Sequence, residues 1–153
     1  MPRSGYMIPA AAILVAGLTS ACVARTSVHG SPAATTGGVA PGAGLTIGDR
    51  VLPVTGCRSG DHGHFLGADL IGASGEPLLR VLIDPLDGPR LRLLGRSGGA
   101  VLGPDQCPEL RASVHDTGWR VNEIRDVAGE VQARCTLDDG ARLEAHIVFD
   151  HCH

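Results

Sequence analysis

The sequence predicts an all-β protein whose folded part is a single antiparallel β-sandwich, or flattened barrel, of about seven to nine short strands. From Leu45 onward the apolar residues alternate with polar ones, as they do along half-buried strands. Turn-forming residues separate these runs at short intervals. No stretch of this part has helical periodicity over the length of a capped helix. We therefore assign residues 45–153 to one β-domain, preceded by a signal peptide at 1–21 and a linker at 22–44.

Several strands are predicted in the first half of this domain. The run 51–55 contains Pro53, and a proline inside a strand favours an edge position because it cannot donate to the ladder. Residues 65–71, 78–83 and 90–93 are further strands, of which 78–83 is apolar enough to be buried on both faces. Turns are predicted at 73–75, 87–89, 103–105, 116–118 and 138–140.

The second half has the clearest alternation. Strands are predicted at 110–114 and 119–123, on either side of the turn at 116–118. In Arg142–Phe149 the apolar residues all point to one face. The turn at 138–140 joins this run to residues 132–137 and predicts a hairpin. Trp119, the only tryptophan of the chain, is expected to fill the core.

The N-terminal stretch from Met7 to Cys22 is typical of a bacterial export signal that ends in a lipobox. Arg3 supplies a positive charge, residues 7–18 are apolar, and the small residues 19–21 precede the cysteine. The apolar run is shorter than the roughly 20 residues that span a bilayer. We expect cleavage before Cys22 and acylation of its thiol. A lipobox usually has an aliphatic residue where this chain has Thr19, so cleavage by an ordinary signal peptidase and secretion as a free chain is the alternative.

Residues 22–44 are rich in Ala, Gly, Ser, Thr and Pro and poor in large apolar side chains. Such a composition cannot repay the entropy lost on ordering, so the sequence predicts a flexible linker. Hydroxyl side chains in it are candidate acceptors for O-linked sugars. They are Thr26, Ser27, Ser31, Thr35 and Thr36.

Composition excludes some functional classes. The formal net charge is -3 and aromatic residues make up 3% of the chain, so neither a basic patch nor a stacking platform for nucleic acid is expected. The chain has no Gly-x-Ser-x-Gly nucleophile elbow and no phosphate-binding loop. We predict a protein that is not an enzyme and that uses no cofactor.

The cysteine count fits this export prediction. Of five cysteines, an acylated Cys22 leaves Cys57, Cys107, Cys135 and Cys152. An even set outside the cytoplasm predicts two disulfides. No two of them have the close spacing typical of zinc ligands. Four cysteines allow three pairings, and their positions alone do not choose among them.

Several motifs together resemble the mycobacterial nineteen-kilodalton lipoprotein antigen family, the LpqH-like lipoproteins. They are the apolar AAILVAGL with its lipobox, the linker, the Val54–Cys57 segment and the alternating final strand that ends on Cys152. The resemblance implies an acylated surface protein, which host innate receptors recognise through its lipid. It also implies a disulfide between Cys57 and Cys152, with Cys107 and Cys135 forming an added bridge.

Histidines flank both members of the implied Cys57–Cys152 pair. His62 and His64 would face one side of a strand, and His151 and His153 would lie nearby. Imidazole suits zinc or copper, so these four residues are weak candidates for a metal site. The competing interpretation is a polar turn beside a disulfide.

The sequence therefore predicts a non-enzymatic surface lipoprotein of the antigen or adhesion type, anchored to the outer face of the cell membrane through Cys22. The alternative is an envelope binding module that carries a small apolar ligand or a metal ion. A ligand carrier needs a cavity of several hundred Å³, roughly 300 or more. We expect no nucleic-acid partner.

Overall fold

The computed structural model describes residues 38–95 and 99–153, which form an almost entirely β-stranded domain. The strands in this part of the chain are β1 Gly38–Val39, β2 Gly44–Ile47, β3 Arg50–Ser59, β4 Gly67–Gly72, β5 Pro77–Asp84, β6 Gly88–Leu93, β7 Val101–Leu102, β8 Glu109–Val121, β9 Ile124–Thr136 and β10 Arg142–Cys152. One 3₁₀ turn, Gly60–Gly63, follows β3. The predicted signal peptide and the predicted acylation site, Cys22, lie outside the described residues. So do the candidate glycosylation sites Thr26, Ser27, Ser31, Thr35 and Thr36.

All ten strands belong to one antiparallel sheet in the order β7-β6-β5-β4-β3-β2-β10-β9-β8, with β1 paired to β10. The all-β, antiparallel prediction is confirmed. The strand number is slightly higher than predicted, because the short β1 and β7 carry little alternation in sequence. The sheet does not close into a barrel. The sandwich arrangement stays a prediction.

Strand β3 is central, so the predicted edge position for Pro53 is wrong. Its first half, Arg50–Pro53, pairs with β2, and its second half pairs with β4 from Val54 onward. A register shift between Val54 and Gly56 marks the change of partner. Pro53 thus has a ladder neighbour on one side only, opposite Gly44. The missing N–H of the proline is accommodated because β3 changes partners there.

Strand β8 covers the strand predicted at 110–114 and most of the one predicted at 119–123, which the sequence analysis separated by a turn. Residues 116–118 do not form a turn but lie inside β8, where the ladder with β9 shifts register between Asp116 and Arg120. The reversal occurs at Asn122 and Glu123, which both have positive φ values, 50° and 69°. Two consecutive residues with positive φ are typical of a tight β-hairpin turn. The hairpin predicted around residues 138–140 is confirmed between β9 and β10.

The core consists of small aliphatic side chains from strands in both halves of the sheet order. Its largest member is Phe149. Other fully buried members are Leu45, Leu70, Leu79, Val81, Leu91, Val131, Leu143 and Ile147. Trp119 is not among them: its exposed fraction is 72%, so the prediction that it fills the core is wrong. The register shift in β8 and the position next to the hairpin turn place it beyond the reach of the core.

The folded domain begins before Leu45. Gly38 and Val39 pair with Asp150 and Phe149 of β10, and β2 begins at Gly44. The last residues of the predicted linker therefore belong to the sheet. Backbone pairing explains this difference from the sequence prediction, because glycine and alanine can join a ladder without any apolar signature.

Two disulfides connect distant parts of the chain. Cys57 of β3 is bonded to Cys152 of β10, with Cα atoms 5.1 Å apart, and Cys107 is bonded to Cys135 of β9, with Cα atoms 3.9 Å apart. These are the pairs that the family resemblance implied. The first bridge joins strands that are 95 residues apart in sequence.

Strand directions define one end of the domain, which we call the tip end. Here β3, β5, β8 and β10 finish and β4, β6 and β9 begin. The 3₁₀ turn, the β5–β6 turn and the β8–β9 hairpin turn therefore all lie at this end. Because Gly38 pairs with Asp150 and Val39 with Phe149, the first described residue also lies at this end.

Candidate functional site

Charged residues from distant parts of the sequence meet at the tip end, and of the histidines predicted as metal ligands His151 is among them. Asp61 lies in the 3₁₀ turn after β3, while Arg125 and Asp126 begin β9. His151 is near the end of β10, beside the Cys57–Cys152 bridge. Three elements that are far apart in sequence thus contribute charged side chains to one region.

Asp126 is the centre of a hydrogen-bonded cluster. Its carboxylate has an exposed fraction of only 2% and accepts a 2.7 Å hydrogen bond from the Thr117 hydroxyl. Nδ1 of His151 lies 3.0 Å from Oδ2 of this carboxylate, and Nδ1 of His153 lies 3.4 Å from Oδ1. Burial acts to raise the pKa of Asp126, but the hydrogen bonds from Thr117, His151 and His153 outweigh it and lower that pKa.

His151 lies between two carboxylates. Its hydrogen bond to Asp126 and the charge of Asp150, whose Oδ2 is 3.7 Å from Nε2, raise the pKa of this imidazole. The arrangement therefore favours the protonated ring, which ties the end of β10 to the start of β9. A general base would need a neutral ring facing a reactive group. This geometry suits a structural clamp instead.

Asp61 fixes the 3₁₀ turn against β9. Its carboxylate accepts hydrogen bonds of 3.0 Å from both the backbone N–H and the Nε of Arg125. These bonds lower the pKa of Asp61 to about 2. The pair explains why residues 60–63 stay folded against the hairpin although they form only one short turn.

The histidines do not converge as the metal hypothesis required. His62 lies within the 3₁₀ turn and His64 follows it with a φ of 54°, so the two do not alternate along a strand. His151 and His153 instead meet Asp126. Within residues 38–95 and 99–153, no group of three or more His, Cys, Asp or Glu side chains has the arrangement of a metal site.

A second buried carboxylate lies in the middle of the sheet and was missed in the sequence. Asp69 of β4 has cross-strand neighbours Arg58 and Arg80 on either side. Its Oδ1 is 2.7 Å from Nε of Arg80, and its Oδ2 is 3.3 Å from Nη2 of Arg58. The Arg80 guanidinium also lies 4.2 Å from the ring centroid of Phe65. The sequence does hold one indication of this cluster, a single aspartate within an apolar run. A carboxylate buried in such a strand needs a cationic or hydrogen-bonding partner.

Two concave surfaces are relevant to ligand binding. One of about 580 Å³ lies between the 3₁₀ turn and the hairpin and is open and polar, with Asp61, Phe65 and Arg125 among its lining residues. The other is apolar, lined by residues such as Leu45 and Leu78, and its volume is about 260 Å³. This is below the roughly 300–1,000 Å³ of typical small-molecule sites. The apolar-carrier alternative stays a prediction.

Large apolar side chains are exposed at the tip end. Trp119 and Val121 lie at the end of β8, and Leu66 lies between the 3₁₀ turn and β4. Leu86, in the β5–β6 turn, has an exposed fraction of 95%. No pattern in the sequence distinguished these residues from core residues. Alternation shows which residues share a face of a strand, but not whether other strands pack over that face at the strand's end.

The chain matches no protein-family model, and no curated protein or solved structure resembles it at a significant level. The family resemblance based on its motifs therefore stays a prediction. No helix of residues 38–95 and 99–153 has the length and apolar character needed to cross a membrane. The function has to be argued from the chain itself.

Proposed function

We propose that the chain is an exported surface lipoprotein of the cell envelope, without catalytic activity, that is attached to the membrane through an acylated Cys22. The observation that carries this proposal is the distribution of the cysteines. Of the five in the chain, four are paired in the disulfides Cys57–Cys152 and Cys107–Cys135, and Cys22 is left over.

The disulfides support export. Such bonds persist in oxidising compartments and are rare in the cytosol. Cys22 follows an apolar run and three small residues, which is where a lipid-modified cysteine is expected. A thiol outside both bridges and directly after an export signal has a ready role as an acyl acceptor.

The anchored domain would be displayed at the outer face of the membrane as an antigen or adhesion-type surface. More than one acyl chain would be needed for stable attachment, because a single chain gives only marginal binding. Host innate receptors are the expected partners of the acyl chains. The binding-module alternative would need an apolar site, and the apolar groove near Leu45 is small for one.

Intact-mass measurement tests the anchor. The protein is purified from membranes beside a Cys22→Ala variant and a matched Ser20→Ala control, which leaves the cysteine in place. We expect wild type and Ser20→Ala to have the mass of a chain that begins at an acylated Cys22 and to stay with the membrane. The Cys22→Ala chain should be unacylated and released. An unmodified wild-type chain in the medium would contradict the proposal.

A further inference from the structure

Of the seven exposed large apolar side chains among the described residues, four lie at the tip end. Among the described residues, Leu86 and Trp119 are the most exposed large apolar side chains, at 95% and 72%. Leu66 and Val121, also exposed, lie at the same end. Three separate segments thus each expose apolar side chains at the same end of the domain. Exposed apolar residues are ordinarily scattered singly over a surface, so this grouping indicates an interaction surface.

Specific contacts hold these loops in place. The Asp61–Arg125 ion pair fastens the 3₁₀ turn to the hairpin, and the Arg120 guanidinium donates to the carbonyl of Glu123 across the hairpin turn. The N–H of Ile83 donates to the Leu66 carbonyl, at 2.9 Å. Fixed loops present their apolar side chains without the entropy cost of ordering them on binding.

The β5–β6 turn is held in a similar way. Oδ1 of Asp84 accepts hydrogen bonds from the backbone N–H groups of Leu86 and Asp87, at 2.8 and 3.1 Å. These bonds lock the turn with the Leu86 side chain directed away from the protein. A leucine that is held outward by its own turn points to an external partner rather than to imperfect packing.

The direction of the chain indicates which partner this is. Gly38, the first described residue, lies at the tip end because it pairs with Asp150, and 15 residues separate it from Cys22 in the sequence. At full extension a segment of this length covers roughly 50 Å. A domain anchored through Cys22 is therefore connected to its anchor through a residue at the tip end.

We propose that the tip end of the domain contacts the lipid bilayer directly, with Trp119, Val121, Leu66 and Leu86 entering the interfacial region. This inference rests on the proposed lipid anchor. Tryptophan is favoured at membrane interfaces because its ring is apolar while its N–H can still reach water or headgroups. Separate protruding side chains also suit a deformable lipid surface better than a rigid pocket in a protein.

The single tryptophan permits a direct test. Full-length protein is mixed with phosphatidylcholine–phosphatidylglycerol vesicles, and Trp119 emission is followed with and without brominated phosphatidylcholine. We expect emission to move to shorter wavelength on lipid addition and to be quenched by bromine. An acylated protein that stays on the vesicles with unquenched Trp119 would overturn the proposal. So would an emission shift that depends on protein concentration without lipid, because it would show that a second copy covers the tryptophan.

Variants separate the tip from the anchor. In the Cys22→Ala background, Trp119→Ala combined with Leu86→Ala should lower the vesicle partition coefficient by at least about tenfold. Val51→Ala is the matched control, since Val51 is also exposed, at 68%, but lies at the opposite end of β3. Equal partition of all three chains would exclude a role for the tip. Failure of the proposed anchor is read separately, from the intact mass: a wild-type chain that carries no acyl group contradicts the anchor, whatever the partition of the Cys22→Ala chains.

Discussion

Two buried aspartates show how single residues hold this sheet together. Asp126 and Asp69 each have an exposed fraction of 2%, and cationic or donor groups form hydrogen bonds with both carboxylates. Without such partners a buried carboxylate would be strongly unfavourable. The stability of the fold therefore depends on the partners of each carboxylate, and each carboxylate gives a measurable prediction.

Asp126→Asn should destabilise the protein in a pH-dependent manner. The lowered pKa of Asp126 adds stability above its ordinary value of 3.8, and the raised pKa of His151 adds stability below its ordinary value of 6.5. Both contributions are present together between about pH 4 and pH 6.5. Urea unfolding should show a loss of about 1–3 kcal/mol in this window.

Above the raised pKa of His151 the imidazole becomes neutral, so the difference between wild type and Asp126→Asn should shrink towards pH 8. Glu130→Gln is the control, because this carboxylate is exposed on β9 outside the Asp126 cluster and its loss should change the unfolding free energy by less than about 0.5 kcal/mol. A loss in Asp126→Asn that did not vary with pH would show that the His151 contact contributes nothing.

Asp69→Asn should cost more than the removal of a surface carboxylate. The substitution leaves Arg80 and Arg58 without their shared counter-charge, and because both arginine side chains are partly exposed to solvent we expect a cost of about 1–3 kcal/mol. Asp87→Asn breaks the exposed pair with Arg90 and should cost about 0.5 kcal/mol or less. Chemical denaturation of both variants gives the comparison, and equal losses would contradict a special role for Asp69.

At the scale of elements, β3 joins the two parts of the sheet. It pairs with β2 through residues 50–53 and with β4 after the register shift at Gly56. Its later part carries Cys57, which is bonded to Cys152 of β10. The start of β3 is thus linked to β10 through the intervening strand β2, and its end is linked to β10 through the Cys57–Cys152 disulfide.

Removal of the two disulfides should have graded effects. The Cys57–Cys152 bridge closes 95 residues and the Cys107–Cys135 bridge closes 28. On the loop-entropy model these loops correspond to about 4.5 and 3.5 kcal/mol. Urea unfolding of Cys57→Ala/Cys152→Ala and of Cys107→Ala/Cys135→Ala tests the order. A greater loss in the second double variant would mean that native packing, rather than loop length, governs the effect.

At the scale of the whole molecule, the sequence predicted the fold class because alternation and turn residues act locally. The run Arg142–Phe149 and the turn at 138–140 correspond to β10 and its hairpin. The predicted turn at 116–118 was wrong because Asp116, Thr117 and Gly118, which are typical turn residues, instead lie at a register shift inside β8. Pairing with β9 overrides local preference there.

The tip end was much harder to predict. Trp119 was assigned to the core because large aromatic side chains usually are buried, whereas its exposure follows from its distance from the core along a long hairpin. The Asp126 cluster requires residues 117, 126, 151 and 153 to meet, and their pairing is fixed only by the strand register. A single sequence contains no direct record of that register.

The open sheet has a consequence for how copies of the protein coexist. Strand β8 pairs only with β9 among the described strands, so its other side is a long edge that can template association with another strand. Exposed charged and polar residues occupy alternate positions along it, including Glu109, Arg111 and His115. Copies anchored through Cys22, as we propose, would share one plane, where encounters are frequent. The charged residues along β8 therefore oppose edge-to-edge association of these copies in the membrane plane, where such association would otherwise be most favoured.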